Sequence, residues 1–281
     1  MSALINAENV SEAWLQTLEH VHSATGGRRV HLVTAIADPT AEVPEVRQVL
    51  DAFLRDQRDQ PVSTVAETIF PFSLYQDPGF DWHPSLAADE VAVLDDASTD
   101  LYDSYVEMLP SLLTAASANS RGTYFSRMIH WPGNEREGVN QLALRVEWLR
   151  GLARRNYRTN NTLDIDIAAD SLDDGRRLSG VQMYAVTDKR PLGFPCLTHL
   201  DLTLYEGKLH CTAVYRHQYL VMKAYGNLLG LGALMRFLCQ QTGYELGELV
   251  VHATMADSEN RRNTPQLLAD ANAALLTGVA G

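Results

Sequence analysis

A lone cysteine, Cys196, stands directly after Pro195 and before a stretch that alternates like a β-strand. The thiolate is the attacking form of cysteine, and nearby positive charge raises its fraction by lowering the thiol pKa. A free cysteine is most often a small buried hydrophobe, and Cys211 and Cys239 fit that interpretation because both lie on apolar faces of predicted elements. Cys196 is therefore the candidate nucleophile.

Glu67 is a second candidate, because it lies among apolar residues in the segment 61–71. Such surroundings would raise the pKa of the carboxylate, so that it could hold or pass a proton near neutral pH. The alternative is a helix-capping box, with Thr64 as the N-cap and Glu67 as the third helical residue. The sequence allows either interpretation.

Two pairs of charged residues have roles that their own sequence context does not decide. Asp164 and Asp166 share one face of a strand predicted over 162–167, where two carboxylates could bind a metal ion. No His or Cys completes a ligand set, so we expect solvated positions and no metal. Arg176 and Arg177 are, taken alone, typical of a solvated turn.

Residues 194–243 resemble the core of thymidylate synthases. The shared order is Phe-Pro-Cys, a strand pair that ends in Tyr-Arg, and an asparagine that opens an apolar helix. The spacings from Cys196 to Arg216 and from Arg216 to Asn227 match the family without a gap. Upstream, Arg176 and Arg177 lie at the family's distance before the cysteine, and segment 122–132 resembles a family strand that also ends at Trp-Pro.

The resemblance implies three catalytic residues. Cys196 would add to C6 of a pyrimidine ring, and Glu67 with its waters would move protons on and off the base. Tyr124 would be the family's active-site tyrosine; its alternative is a strand aromatic with its hydroxyl at the sheet edge.

The resemblance also implies nucleotide-binding residues. Asn227 would read the amide edge of the base by donating and accepting a hydrogen bond. Arg216 would bind the 5′-phosphate, with His217 at the position of a phosphate-binding serine. Arg176 and Arg177 would reach the same phosphate from the other subunit of a homodimer, since guanidinium groups bind phosphate oxygens in pairs.

The chain departs from the family on the folate and sugar sides. Tyr219 stands where the family has a folate-binding aspartate, and the run from Met222 to Gly226 replaces a Gly-Leu-Pro-Phe run. Asp257 and Glu259 stand where a His and a Tyr hold the 3′-hydroxyl of deoxyribose. Ionised carboxylates only accept hydrogen bonds, so these two predict a preference for ribonucleotides; the alternative is a reorganised loop that never meets the sugar.

The expected function is C5 methylation or hydroxymethylation of a pyrimidine nucleoside 5′-monophosphate such as UMP, CMP or dUMP. The family's one-carbon donor is 5,10-methylenetetrahydrofolate. The alternative is a nucleotide-binding or regulatory protein that has lost folate-dependent chemistry. The retained Cys196 argues against that alternative, since binding alone needs no nucleophile.

Periodicity predicts the elements that position these residues. Helices are predicted over 7–22, 43–58, 101–113, 140–152, 228–239 and 264–281, and a long surface loop over 77–99. Strands are predicted over 30–36, 122–132, 162–167, 200–205 and 209–214. The family resemblance implies one α+β domain over 1–281, with a large, mostly antiparallel sheet packed by helices.

Composition limits the class of protein. Hydrophobic residues make up 46% of the 281, enough for a full core, and the net charge of −12 argues against a nucleic-acid-binding surface. Three cysteines without paired spacing favour a reducing compartment. The chain opens without a signal peptide and has no apolar run of the ~18 residues that span a bilayer, so we expect a cytoplasmic protein.

Overall fold

The structure is a computed structural model that describes residues 3–115, 119, 122–131, 138–155, 180–184, 188, 195–259 and 261–278. The predicted strand over 162–167 and the pair Arg176 and Arg177 lie outside the described residues. No helix within these ranges combines the length and the apolar character needed to cross a membrane.

Helices pack on a large mixed sheet. The described strands are β1 (Ala3–Asn9), β2 (Arg28–Asp38), β3 (Val181–Gln182), β4 (Leu197–Tyr205), β5 (Lys208–Tyr215), β6 (Gln218–Tyr219) and β7 (Glu245–Asp257). The described helices are α1 (Val10–His22), α2 (Pro44–Asp56), α3 (Val62–Glu67), α4 (Ala88–Ala115), α5 (Tyr124–Ile129), α6 (Gln141–Arg154), α7 (Tyr225–Thr242) and α8 (Thr264–Gly278). A π-helical turn, Leu220–Ala224, leads into α7.

The sheet contains both kinds of strand pairing. β1 lies parallel to β2 and β6 parallel to β7, whereas β2 pairs antiparallel with β7 and β3 antiparallel with β4. The predicted α+β class is therefore confirmed at the level of a large sheet packed by helices. The sheet is mixed, and the expectation that it is mostly antiparallel stays a prediction.

Two compact units divide the chain. Unit 1 comprises Met1–Phe70, Cys211–Ala233 and Gly247–Gly281, and unit 2 comprises Pro71–His210 and Leu234–Leu246. A single domain over 1–281 stays a prediction.

Unit 1 is built around α1, which packs on β1 and β2, and around α2, which packs on α8. Trp14 and Leu18 of α1 are fully buried there. The helix predicted over 7–22 begins only at Val10, because the Asn9 side chain caps it by accepting a 3.0 Å hydrogen bond from the Glu12 amide. The residues before this cap form β1, which the periodicity did not predict.

In unit 2, two further predictions of secondary structure are wrong. The loop expected over 77–99 gives way to α4 at Ala88, where Glu90 accepts a 2.9 Å hydrogen bond from the Ala87 amide. Within the strand expected over 122–132, Tyr124–Ile129 instead form α5. The Thr123 side chain starts this helix, because it accepts a 3.1 Å hydrogen bond from the Ser126 amide.

Candidate functional site

Tyr124 and Cys196 lie next to each other in unit 2. The Tyr124 hydroxyl accepts a 3.4 Å hydrogen bond from the backbone amide of Leu197, and the backbone of Cys196 also hydrogen-bonds this hydroxyl. Burial, together with the nearby Cys196 thiol, raises the pKa of Tyr124 to about 12. Tyr124 therefore keeps its proton at neutral pH and can donate a hydrogen bond beside the thiol. Its place at the start of a helix replaces the predicted strand position.

None of the three cysteines forms a disulfide, but their surroundings differ. Cys196 is partly exposed at the start of β4, whereas Cys211 and Cys239 are buried. Burial raises the pKa of the Cys239 thiol to about 12, so this thiol stays protonated and unreactive near neutral pH. The interpretation of Cys211 and Cys239 as small buried hydrophobes is confirmed.

Brief treatment of the folded protein with iodoacetamide is expected to label Cys196 and to leave Cys211 and Cys239 unmodified. The reagent needs both access and a thiolate, and Cys196 is partly exposed whereas the other two cysteines are buried. Peptide mass spectrometry measures the labelled fraction at each site. Labelling in guanidinium chloride is the control and should modify all three. Labelling of Cys239 as fast as Cys196 in the folded protein would contradict this picture.

In unit 1, Glu67 and Asn227 are carried by two helices that touch. Glu67 is the partly buried last residue of α3, and Asn227 is a buried residue near the start of α7. The helices approach so closely at Gly226 that a Cβ atom there would lie 2.6 Å from Cβ of Val65. The N-cap of α3 is Pro61, without a side-chain cap, so the capping-box alternative for Glu67 is wrong.

The phosphate candidates follow β5. Arg216 is exposed, and His217 is half-buried with its ring 4.4 Å from that of Tyr219. Nε2 of His217 lies 3.7 Å from Oδ2 of Asp257. The structure thus places a candidate phosphate residue and a candidate sugar residue side by side. The roles of Arg216 and His217 in binding stay predictions.

Asp257 and Glu259 already have partners inside unit 1. The buried Asp257 accepts a 2.7 Å hydrogen bond from Nε of Arg28. Glu259 accepts hydrogen bonds from the amides of Val221, at 2.6 Å, and Met222, at 3.2 Å. These partners belong to the chain itself, so the two carboxylates no longer support a preference for ribonucleotides. Their contact with the nucleotide stays a prediction.

Sequence reasoning missed a polar cluster around Glu259. Arg261 pairs with Glu259 at 3.4 Å and also with Asp59, and Lys223 donates a 2.8 Å hydrogen bond to Oε1 of Gln60. Burial lowers the pKa of Lys223, and burial raises the pKa of Glu259. The only sequence signal for this cluster is the unusual run from Met222 to Gly226, which contains Lys223.

Arg28 is a further residue that the sequence did not single out. Its side chain is 64% exposed but pairs with Asp257, whose side chain is only 6% exposed. Replacing Arg28 by Met is expected to lower the free energy of unfolding by about 1–2 kcal/mol, because a buried carboxylate loses its charged partner. Urea denaturation measures this loss.

The double variant Arg28→Met with Asp257→Asn is the matched control. A neutral amide costs less to bury than an unpaired carboxylate, so we expect the double variant to be more stable than Arg28→Met alone. A double variant that is less stable than the single one would show that the ion pair is not what stabilises this position.

Comparison with known proteins assigns no function to these residues. No protein-family model and no curated protein matches this chain. Among the described residues, no group of three or more His, Cys, Asp or Glu side chains is arranged to hold a metal ion. The resemblance to thymidylate synthases stays a prediction from the order and spacing of sequence motifs.

Proposed function

We propose that this chain is a divergent relative of thymidylate synthases that modifies C5 of a pyrimidine nucleoside 5′-monophosphate through a covalent adduct at C6. One observation carries the proposal: the Tyr124 hydroxyl lies beside Cys196. The motif resemblance nominates these two residues separately, and 73 residues separate Tyr124 from the Leu197 amide that binds it. Their proximity is what the shared chemistry requires.

In the proposed reaction, the Cys196 thiolate forms a bond to C6 of the ring. The electron pair of the C5–C6 double bond moves toward C5 and the adjacent carbonyl, so C5 becomes a nucleophile. C5 then bonds to an electrophilic carbon at the oxidation level of formaldehyde and loses its proton. Departure of the group that carried this carbon leaves an exocyclic methylene. Hydride from a hydride-donating co-reactant, or water, then adds to this methylene while the electron pair restores the C5–C6 double bond and expels the Cys196 thiolate. Hydride addition gives methyl, and water addition with loss of a proton gives hydroxymethyl.

The other candidates have defined tasks in this proposal. Glu67 moves the protons, and Asn227 hydrogen-bonds the base edge. Tyr124, protonated at neutral pH, is a hydrogen-bond donor beside the adduct rather than a base. Arg216 and His217 bind the phosphate.

The residue at the family's folate-binding position, Tyr219, does not fit the family's folate donor. Tyr219 offers no carboxylate there, is 41% exposed and packs its ring on His217. We therefore assign no residue to 5,10-methylenetetrahydrofolate. We propose only that the electrophile is a one-carbon unit at the formaldehyde level. This departure supports a specialised relative over a housekeeping thymidylate synthase.

A 5-fluorinated pyrimidine nucleotide tests the adduct directly. Fluorine cannot leave C5 as a cation, so the C6 adduct should persist once C5 has bonded to the one-carbon unit. With a formaldehyde-level donor present, the peptide that contains Cys196 should gain the mass of the nucleotide and of the one-carbon unit. Cys196→Ser should gain none. Binding of the nucleotide without any adduct would favour the alternative of a regulatory or nucleotide-binding protein, and an adduct on Cys211 or Cys239 would contradict the assignment.

We further propose a cytoplasmic homodimer with shared sites, since free thiols suit a reducing compartment and the motif places Arg176 and Arg177 in trans. Mixing Arg177→Ala subunits with Cys196→Ser subunits, each inactive alone, is expected to restore activity because some heterodimers contain one intact site. The recovered activity measures this. No recovery after confirmed subunit exchange would contradict sharing.

A further inference from the structure

A small cavity in unit 1 is lined in part by β6. Its volume is about 10 Å³. The apolar part of its wall consists of Trp14, Ala224, Leu228 and Val251. The indole Nε1 of Trp14 already has a hydrogen-bond partner, since it donates a 2.8 Å hydrogen bond to the carbonyl of Leu220.

Three polar side chains complete the wall: Thr17 of α1, Thr34 of β2 and Gln218 of β6. Each of the three residues is only 5% exposed. The two hydroxyls lie 3.1 Å apart and share one hydrogen bond, which leaves one hydroxyl donor and several lone pairs unused. Within the described part of the chain, no residue forms a hydrogen bond with the Gln218 side-chain amide.

A buried amide without a partner is costly, and most such groups in proteins bind another group or an ordered water. The size of this cavity is close to the ~10–15 Å³ that one water molecule needs, and water binds where two to four polar groups surround it. No lining residue is charged, which disfavours an ion. A larger organic molecule does not fit this volume.

We propose that the cavity binds a single ordered water molecule, held by the Gln218 amide and by the hydroxyl pair of Thr17 and Thr34. This water links α1 and β2 to β6, a strand of only two residues. It thereby stabilises the segment that follows Arg216 and precedes the π-helical turn. The inference is independent of the proposed function.

High-resolution diffraction from crystals of the full chain tests the inference. We expect a density peak within hydrogen-bond distance of the Gln218 amide and of at least one of the two threonine hydroxyls. The peak should disappear in Gln218→Met, which fills a similar volume without polar groups. Gln266→Met, the same change at an exposed position of α8, is the matched control and should keep it.

Four results would overturn the inference. The cavity could be dry, or it could be closed by a direct hydrogen bond from Gln218 to a threonine, or it could hold a larger molecule. A water peak that persists unchanged in Gln218→Met would equally contradict the assignment, because Gln218 would then not hold it.

Discussion

Cys196→Ser is expected to lower turnover at C5 by at least about 100-fold while leaving nucleotide affinity nearly unchanged, because a hydroxyl is a far weaker nucleophile than a thiolate at neutral pH. Turnover is followed as the gain in mass of the nucleotide, and affinity by calorimetry. The change is nearly isosteric, so the fold should survive. Loss of affinity equal to the loss of turnover would instead indicate that the substitution damages binding.

Cys211→Ser is the matched control for this prediction. It is the same chemical change at a buried cysteine, so it removes no nucleophile and should keep most of the activity per folded molecule. More than a few per cent of activity in Cys196→Ser would show that Cys196 is structural and that the covalent mechanism does not apply.

Gly226→Ala is expected to lower the free energy of unfolding by about 1–3 kcal/mol, as overpacking of a close contact does. The added Cβ would lie 2.6 Å from Cβ of Val65 and 2.7 Å from the backbone oxygen of Val62, so a backbone must move. The displacement separates α3 from α7 and hence shifts Glu67 relative to Asn227. We therefore also expect activity to fall by about 10-fold or more, since small displacements of reacting groups are costly.

Urea denaturation and turnover, measured on the same sample, test this prediction. Gly151→Ala in α6 is the matched control, because a Cβ there meets nothing within 4 Å. Alanine favours a helix over glycine by about 1 kcal/mol, so the control should be as stable as the original or more so. Wild-type stability and activity in Gly226→Ala would mean that the close helix contact positions neither residue.

Strongly periodic segments could be predicted from the sequence. The apolar stripe of α2 and the alternation of β4 and β5 appear in the structure nearly where the pattern places them. The predictions of helices and strands were wrong where a single side chain decides the local structure. Asn9 ends a strand by capping a helix, and Thr123 starts a helix in a segment that alternates like a strand.

The candidate site shows the same limit. Motif order nominated Cys196 and Tyr124, and the structure brings them together. The partner of Asp257 could not be read from the sequence, because Arg28 lies 229 residues away and no local pattern connects them. The partners of Glu259 could not be predicted either. The backbone amides that it binds belong to a π-helical turn, which has no clear sequence signature.

Release of tritium from C5-tritiated pyrimidine nucleotides tests the central claim most directly. The assay compares UMP, CMP, dUMP and dCMP, each with 5,10-methylenetetrahydrofolate, with formaldehyde, and without a donor. The proposed function predicts that at least one nucleotide loses tritium to water, that a donor accelerates the loss, and that Cys196→Ser abolishes it. Bound nucleotide that releases no tritium with any donor, or release that is undiminished in Cys196→Ser, would contradict it.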